Sequence, residues 1–97
     1  MASQPVLSIA IPTFDRAQSL EKCLTLLLPS ITPHGEKIEL LVLDNASTDN
    51  TPDVVDSFVR LVHQGPRVRS IRHETNIGMS ENLLACVENS SGRYFMF

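Results

Sequence analysis

The sequence predicts an α/β fold: a three-layer α/β/α domain with a mostly parallel sheet and elements in the order β-α-β-α-β-α-β. Short apolar runs rich in branched residues alternate with longer segments whose apolar residues recur at helical spacing. Such alternation is typical of right-handed βαβ units in a parallel sheet. The chain has 97 residues, 42% of them hydrophobic and 20% charged, which is the composition of one globular domain at most.

Four short apolar runs predict the strands. They are, in chain order, Val6–Ile11, Ile38–Leu43, Val68–Arg72 and Arg93–Phe97. The first two are apolar nearly throughout, as strands buried on both faces are. Pro12 is predicted to end the first strand because it cannot donate a ladder hydrogen bond, and Gly65-Pro66 to break the chain before the third. The fourth run ends the chain without a closing turn, so we expect the N-terminal part of a longer protein, with one side of this strand unpaired.

Three segments between the strands have apolar residues at helical spacing and predict helices. Asp15 is the predicted N-cap of the first helix, and Pro29 is predicted to end it before a loop. Thr51 is the predicted cap of the second helix, with Pro52 at the first position, where proline is well tolerated. The third helix is predicted over Met79–Asn89.

Charge and cysteine content narrow the classes of function. Eight Lys and Arg against eleven Asp and Glu give a net charge of −3, so we expect no nucleic-acid partner, which would need a basic surface. Arg67, Arg69 and Arg72 lie close together, and the residues alone allow a solvated strand end or an anion site. Cys23 and Cys86 lie in helical patterns and are predicted to be small core residues. No metal-ligand spacing of cysteines or histidines is present.

No segment of the sequence predicts export or a membrane span. The first apolar run is too short for a signal peptide and lacks a basic segment before it. No stretch approaches the ~20 apolar residues that a membrane span requires. We therefore expect no transmembrane segment and a cytoplasmic location, with peripheral attachment to the inner face of a membrane as the further expectation.

Three polar segments directly follow predicted strands, at residues 12–16, 44–49 and 73–78. Ligands of open parallel sheets bind at the carboxyl ends of strands, so these segments converge on one edge if the first strand is central. Asp44 can accept a hydrogen bond there from a ribose or a base N–H. The residue types alone also allow a plain turn stabilised by its own Asx and Ser/Thr side chains. A dinucleotide or P-loop site is disfavoured, because the required glycine motifs are absent.

Three motifs, in order and at similar spacing, carry a resemblance to a known family. They are VLSIAIPTFDR at 6–16, LVLDNASTDNT at 41–51, and Asn76-Ile77-Gly78 with Asn82 and SGRYFMF at 91–97. Together they resemble family 2 glycosyltransferases, nucleotide-sugar enzymes of GT-A fold, from Val6 to the end of the chain. The resemblance implies a Rossmann-like sheet, the N-terminal part of a GT-A fold. Residues 1–97 would be a partial family domain, the nucleotide-recognition half, with 1–5 as an N-terminal tail.

The resemblance implies that eight residues bind the nucleotide. They are Pro12, Thr13, Phe14, Arg16, Asp44, Asn45, Gly78 and Asn82. The first three would flank the base and ribose, Asp44 would hydrogen-bond one of them, and Asn45, Gly78 and Asn82 would shape the pocket near the base and phosphates. Arg16 has an equal reading as a residue of the first helical turn. His73 and Glu74 are predicted to lie in a solvated loop without a role.

The resemblance also implies chemistry outside this sequence. The full enzyme would use a divalent metal, Mg or Mn, on an acidic motif soon after Phe97, and neither a catalytic residue nor a metal ligand is assigned within residues 1–97. The implied partners are a nucleoside diphosphate sugar and a glycan, lipid-linked or protein acceptor, in polysaccharide biosynthesis. We expect hexosyl transfer by the longer protein and no activity from this chain alone. The alternative is a non-catalytic nucleotide-binding or interaction module with a Rossmann-like fold.

Overall fold

The computed structural model describes residues 5–61 and 67–97. In chain order the elements are β1 (Leu7–Thr13), α1 (Ala17–Ile31), a 3₁₀ helix (Thr32–Lys37), β2 (Ile38–Asp44), α2 (Thr51–Leu61), β3 (Arg67–Arg72), α3 (Met79–Asn89) and β4 (Tyr94–Met96). The predicted α/β order is therefore confirmed. The predicted break at Gly65-Pro66 and residues 1–4 of the predicted tail lie outside the described residues.

The described strands form one parallel sheet in the order β3-β2-β1-β4. β1 pairs with β2 along its full length, from Leu7 opposite Ile38 to Thr13 opposite Asp44. β4 pairs with β1 only over Leu7–Ile9 and lies at one edge of the sheet, as predicted. Because the strands are parallel, their carboxyl ends meet at one edge, and the interior position of β1 brings the three polar segments together there.

Helices cover both faces of this sheet, which confirms the three layers. On one face, Leu20 and Leu24 of α1 and Val55 of α2 pack with the strand residues Ile9 and Leu40. On the other face, Cys86 of α3 packs with Ala10, Leu41 and Leu43. Successive side chains of a strand point to opposite faces, so a strand covered on both sides is apolar nearly throughout.

Both predictions that a proline ends an element are wrong. Pro12 lies inside β1. The Thr13 carbonyl accepts from the Asn45 N–H at 2.9 Å, so the backbone groups of Thr13 point toward β2. The backbone of the preceding residue, Pro12, points the other way, toward β4. Because β4 pairs with β1 only as far as Ile9, no ladder hydrogen bond is lost at the Pro12 nitrogen. Pro29 lies inside α1, which continues to the buried Ile31.

The end of α1 differs from the predicted loop, and the Leu28 carbonyl in its last turn accepts two hydrogen bonds from Thr32. The hydroxyl of Thr32 donates to the Leu28 carbonyl at 2.6 Å, and the Thr32 N–H donates to the same oxygen. The chain then continues directly as the 3₁₀ helix. The buried position predicted for Cys86 is confirmed, whereas Cys23 is exposed, since α1 turns Leu20 and Leu24 toward the sheet instead.

Candidate functional site

A cleft of about 490 Å³ lies at the carboxyl edge of the sheet. Its walls come from the end of β1 and the loop after it, from the residue after β2, and from the start of α3. The lining residues are Pro12, Thr13, Phe14, Arg16, Asn45, Asn76, Gly78, Met79, Asn82 and Leu83. Seven of the eight residues that the sequence singled out line this cleft, and the eighth, Asp44, lines the cavity beside it.

Asp44 is the last residue of β2 and is buried. It lines a cavity of about 190 Å³ together with Pro52 and Val55 of α2 and residues 70–72 of β3. Its Oδ1 accepts from both the N–H and the hydroxyl of Ser47. Within the described residues its Oδ2 has no hydrogen-bond partner, and the Arg72 Nε lies 3.5 Å away, close enough for charge attraction but beyond ordinary hydrogen-bond length. Asp44 therefore offers a ligand one buried acceptor oxygen.

Asn45 ties the end of β2 to the turn before α3. Its amide nitrogen donates to Asn76 Oδ1 at 2.9 Å and to the Gly78 carbonyl at 3.2 Å. Its side-chain oxygen accepts from the Ile77 N–H at 2.8 Å. Gly78 has a φ of 87°, a conformation that glycine adopts without the steric cost of a Cβ. The turn at 76–78, which forms one wall of the cleft, is thus held by one buried amide.

Asn82 connects the cleft wall to the sheet. It is buried, and its amide nitrogen donates to the Leu43 carbonyl at 3.2 Å. The His73 Nε2 lies 2.8 Å from Asn82 Oδ1, so His73 donates to it in the tautomer that carries the Nε2 proton. The expectation of a solvated loop is wrong for His73, which is half-buried and whose backbone N–H donates to the Asp44 carbonyl at 3.0 Å. Its position directly after β3 was the only sequence signal for this contact.

Asp15 does not cap α1, because its carboxylate bonds to the loop after β2. Its Oδ1 accepts from the N–H groups of Thr48 at 2.6 Å and Asp49 at 3.3 Å. In return, the Ser47 hydroxyl accepts from the Asp15 N–H at 2.8 Å. Asp15 has a φ of 48°, a left-handed conformation that these bonds stabilise.

Asp49 bonds to the first turns of two helices at once. Its Oδ2 accepts from the Ala17 N–H of α1 at 3.2 Å, and its Oδ1 accepts from the hydroxyl and N–H of Thr51 in α2. The bonds from Thr51 hold the pKa of Asp49 below its ordinary value. Thr51 is thus the first residue of α2, and the carboxylate cap for both helices comes from Asp49. The loops after β1 and β2 are therefore bonded to each other.

The two arginine side chains described in β3 pair with buried carboxylates of β2. Arg72 donates to the Ser47 carbonyl at 2.9 Å and lies beside Asp44. Arg69 pairs with Glu39 at 2.8 Å near the opposite end of the strand. Both side chains remain partly exposed, as the reading of a solvated strand end implies, and each also pairs with a carboxylate.

Residues 5–61 and 67–97 hold neither a cluster of metal ligands nor a helix that could span a membrane. These residues contain no group of three or more His, Cys, Asp or Glu that could hold a metal ion. They do not fit the divalent metal that the resemblance implies, so no step through a metal is derived from them. In the same residues, no helix is long and apolar enough to cross a membrane.

Two solved structures share the fold of this chain. The mannosyltransferase PcManGT from Pyrobaculum calidifontis, in complex with GDP-Man and Mn²⁺, matches with a TM-score of 0.73 and 21% identity, over 91% of this chain and 25% of that chain. TarS from S. aureus matches with a TM-score of 0.73 and 21% identity, over 94% of this chain and 26% of that chain. These likenesses show the fold, which is the GT-A fold of glycosyltransferases, as predicted.

The chain belongs to glycosyl transferase family 2, whose family model matches residues 8–97. Abequosyltransferase RfbV from Salmonella typhimurium is 37% identical over 93 residues, which are 92% of this chain and 26% of RfbV. Validoxylamine A glucosyltransferase from Streptomyces hygroscopicus subsp. jinggangensis is 40% identical over 77 residues, which are 71% of this chain and 18% of that protein. The family resemblance of the three motifs is confirmed, and the chain spans about a quarter of RfbV.

Proposed function

We propose that this chain is the donor-binding part of a glycosyltransferase that moves a hexosyl group from a nucleoside diphosphate sugar to an acceptor hydroxyl. Membership of family 2 supports glycosyl transfer. The observation that carries the donor assignment is the buried Oδ2 of Asp44, which has an ion-pair neighbour in Arg72 but no hydrogen-bond partner among the described residues. A buried acceptor without a hydrogen bond is uncommon in folded proteins, and a ligand N–H would supply one.

The chemistry of Asp44 restricts the base. An ionised carboxylate only accepts hydrogen bonds, so the base bound to it must present an N–H group. Uracil, thymine and guanine present a ring N–H on the edge that pairs with another base, whereas adenine and cytosine present only an exocyclic amino group there. We infer that Asp44 accepts from a ring N–H, and that the donor is a uridine, thymidine or guanosine diphosphate sugar. PcManGT, a neighbour in fold, is in complex with GDP-Man, a donor of this class.

The cleft supplies the surroundings for the rest of the donor. Thr13 and Phe14 flank the ribose beside Asp44, and Asn45 and Asn82 hold the wall that faces it. Arg16, the one cation among the described lining residues, is exposed at the rim, where its guanidinium meets the diphosphate. The first turn of α3 borders the same space, and free N–H groups of a helix start favour phosphate.

The acceptor and the chemical step are assigned to no residue of this chain. The acceptor is a hydroxyl of a glycan, a lipid-linked sugar or a protein, and the leaving diphosphate needs a cation that the described residues do not hold. We therefore expect this chain to bind nucleoside diphosphates without transferring sugar.

Calorimetric titration of the chain with UDP, dTDP, GDP, ADP and CDP tests the donor assignment. We expect at least one of the first three to bind and the last two not to bind. Asp44→Asn keeps the shape of the side chain but replaces the acceptor that faces the base by an amide NH₂, which is a donor. We therefore expect the affinity to fall about tenfold, or ~1.4 kcal/mol. Asp53→Asn, the same charge change at an exposed position of α2, leaves affinity unchanged. Equal binding of ADP, or an unaffected Asp44→Asn variant, contradicts the assignment.

A further inference from the structure

A fully buried carboxylate lies at the amino edge of the sheet, opposite the cleft. Glu39, the second residue of β2, has 0% exposure. Its Oε2 accepts from the Ser8 hydroxyl at 2.7 Å, the Ser91 N–H at 3.0 Å and the Ser91 hydroxyl at 2.8 Å. Its Oε1 accepts from Arg69, at 2.9 Å from Nε and 2.8 Å from Nη2. Burial raises the pKa of Glu39, but these hydrogen bonds outweigh it and hold the pKa below its ordinary value.

The partners of Glu39 also hold the connection between α3 and β4. Arg69 donates from its Nη2 to the carbonyl of Asn89, the last residue of α3, at 2.6 Å. The Ser8 hydroxyl accepts from the Gly92 N–H at 2.7 Å. Residues 89–92 are thus bonded at three points to one cluster, formed by Glu39, Ser8 and Arg69, which we call the Glu39 cluster.

The same helix forms a wall of the cleft at its other end. Met79, Asn82 and Leu83 of α3 line the cleft. The helix has 11 residues, a rod of about 16 Å at 1.5 Å per residue. Since a helix of this length moves as one body, a shift at Asn89 is carried to the cleft wall.

We propose that Glu39 is a positioning residue for the cleft. It locks the carboxyl end of α3 and the connection to β4 onto the sheet, and so fixes where α3 places the cleft wall. Arg69 and the Ser91 N–H both donate to Glu39, and neither group can accept a hydrogen bond. In Glu39→Gln the amide NH₂ must face one of these two donors, whichever way the amide is turned. The substitution therefore breaks the lock while keeping the volume of the side chain.

Amide hydrogen exchange and ¹⁵N-resolved NMR of the whole chain test the proposal without a ligand. In Glu39→Gln we expect protection of residues 86–96 to fall about tenfold more than that of α1 and α2. We also expect the amide signals of Gly78 and Leu83, at the far end of α3, to shift. The control is Glu88→Gln, the same charge change at an exposed position of α3, which should alter neither.

A uniform loss of protection across α1, α2 and α3 overturns the proposal, because it shows a role in general stability only. Unmoved signals of Gly78 and Leu83 overturn it as well. A second variant, Ser91→Ala, removes the hydrogen bond from the Ser91 hydroxyl to Glu39 and leaves the Arg69–Glu39 pair intact. The proposal can therefore be tested even if Glu39→Gln does not fold. We expect a smaller loss of protection confined to residues 86–96, and unchanged exchange there in Ser91→Ala overturns the proposal.

Discussion

Replacing Asn45 by alanine is expected to release the turn before α3 and to destabilise the chain. The substitution removes three hydrogen bonds, to Asn76, Ile77 and Gly78. At about 1 kcal/mol for each net bond, the three bonds together contribute about 3 kcal/mol. The Gly78 carbonyl still accepts from the Asn82 N–H at 3.0 Å, so one of the three losses is partly compensated. We therefore expect the free energy of unfolding to fall by about 2 kcal/mol.

Thermal unfolding followed by circular dichroism measures this loss. For a domain of this size each kcal/mol lowers Tm by roughly 4–8 °C, so Asn45→Ala should lower it by about 8–16 °C. Gln18→Ala, an amide removed from the exposed face of α1, is the control and should change stability by less than about 0.5 kcal/mol. Asn45→Asp keeps the acceptor for the Ile77 N–H and loses both donors, so its Tm should also fall. A Tm for Asn45→Ala equal to that of Gln18→Ala would refute the reasoning.

Three further predictions concern stability and reactivity. Gly92→Ala places a Cβ 2.7 Å from the Ser8 nitrogen, so urea unfolding should show a loss of about 1–3 kcal/mol, and an unchanged midpoint contradicts this. The pKa of Glu39 is lower in the folded chain than its ordinary value of 4.5, so its stabilisation is full above pH 4.5 and is lost as the pH falls through the folded value. Urea titrations from neutral to acid pH should show this decrease, and a decrease of equal size in Glu39→Gln would contradict it. The exposed Cys23 should react with a thiol reagent in the native chain. Cys86 is buried, and burial raises the pKa of its thiol, so it should react only on unfolding. Equal reaction rates of the two thiols in the native chain would contradict the buried position of Cys86.

The order of elements could be predicted because buried positions of strands and helices are occupied mainly by apolar residues. β2 is covered on both faces, so its inner residues are apolar nearly throughout, and α3 begins and ends where its periodicity does. Pro12 and Pro29 misled the prediction of boundaries, because a proline ends an element only where its ring and its missing N–H cannot be accommodated, and that depends on its surroundings in the fold. Those facts belong to the tertiary structure and not to the local sequence.

The candidate site was predictable in position but not in its bonding. Parallel strands end at one edge, so the segments after β1, β2 and β3 had to converge. The bonds of Asp15 to Thr48 and Asp49 join residues more than thirty positions apart, and nothing in their local spacing indicates the pairing. Glu39 likewise is one charge in an apolar run, and its role depends on partners from β1, β3 and the connection between α3 and β4.

The measurement that most directly tests the central claim, that the cleft at the carboxyl edge binds the nucleotide, is a ¹⁵N-resolved NMR titration of the chain with UDP, dTDP and GDP. We predict saturable shifts, for at least one of the three, at Thr13, Asn45, Gly78 and Asn82, and we predict that Asp44→Asn needs about tenfold more nucleotide to reach the same shifts. Shifts centred on the amino edge around Glu39, or no shifts with any of the three nucleotides, would contradict it.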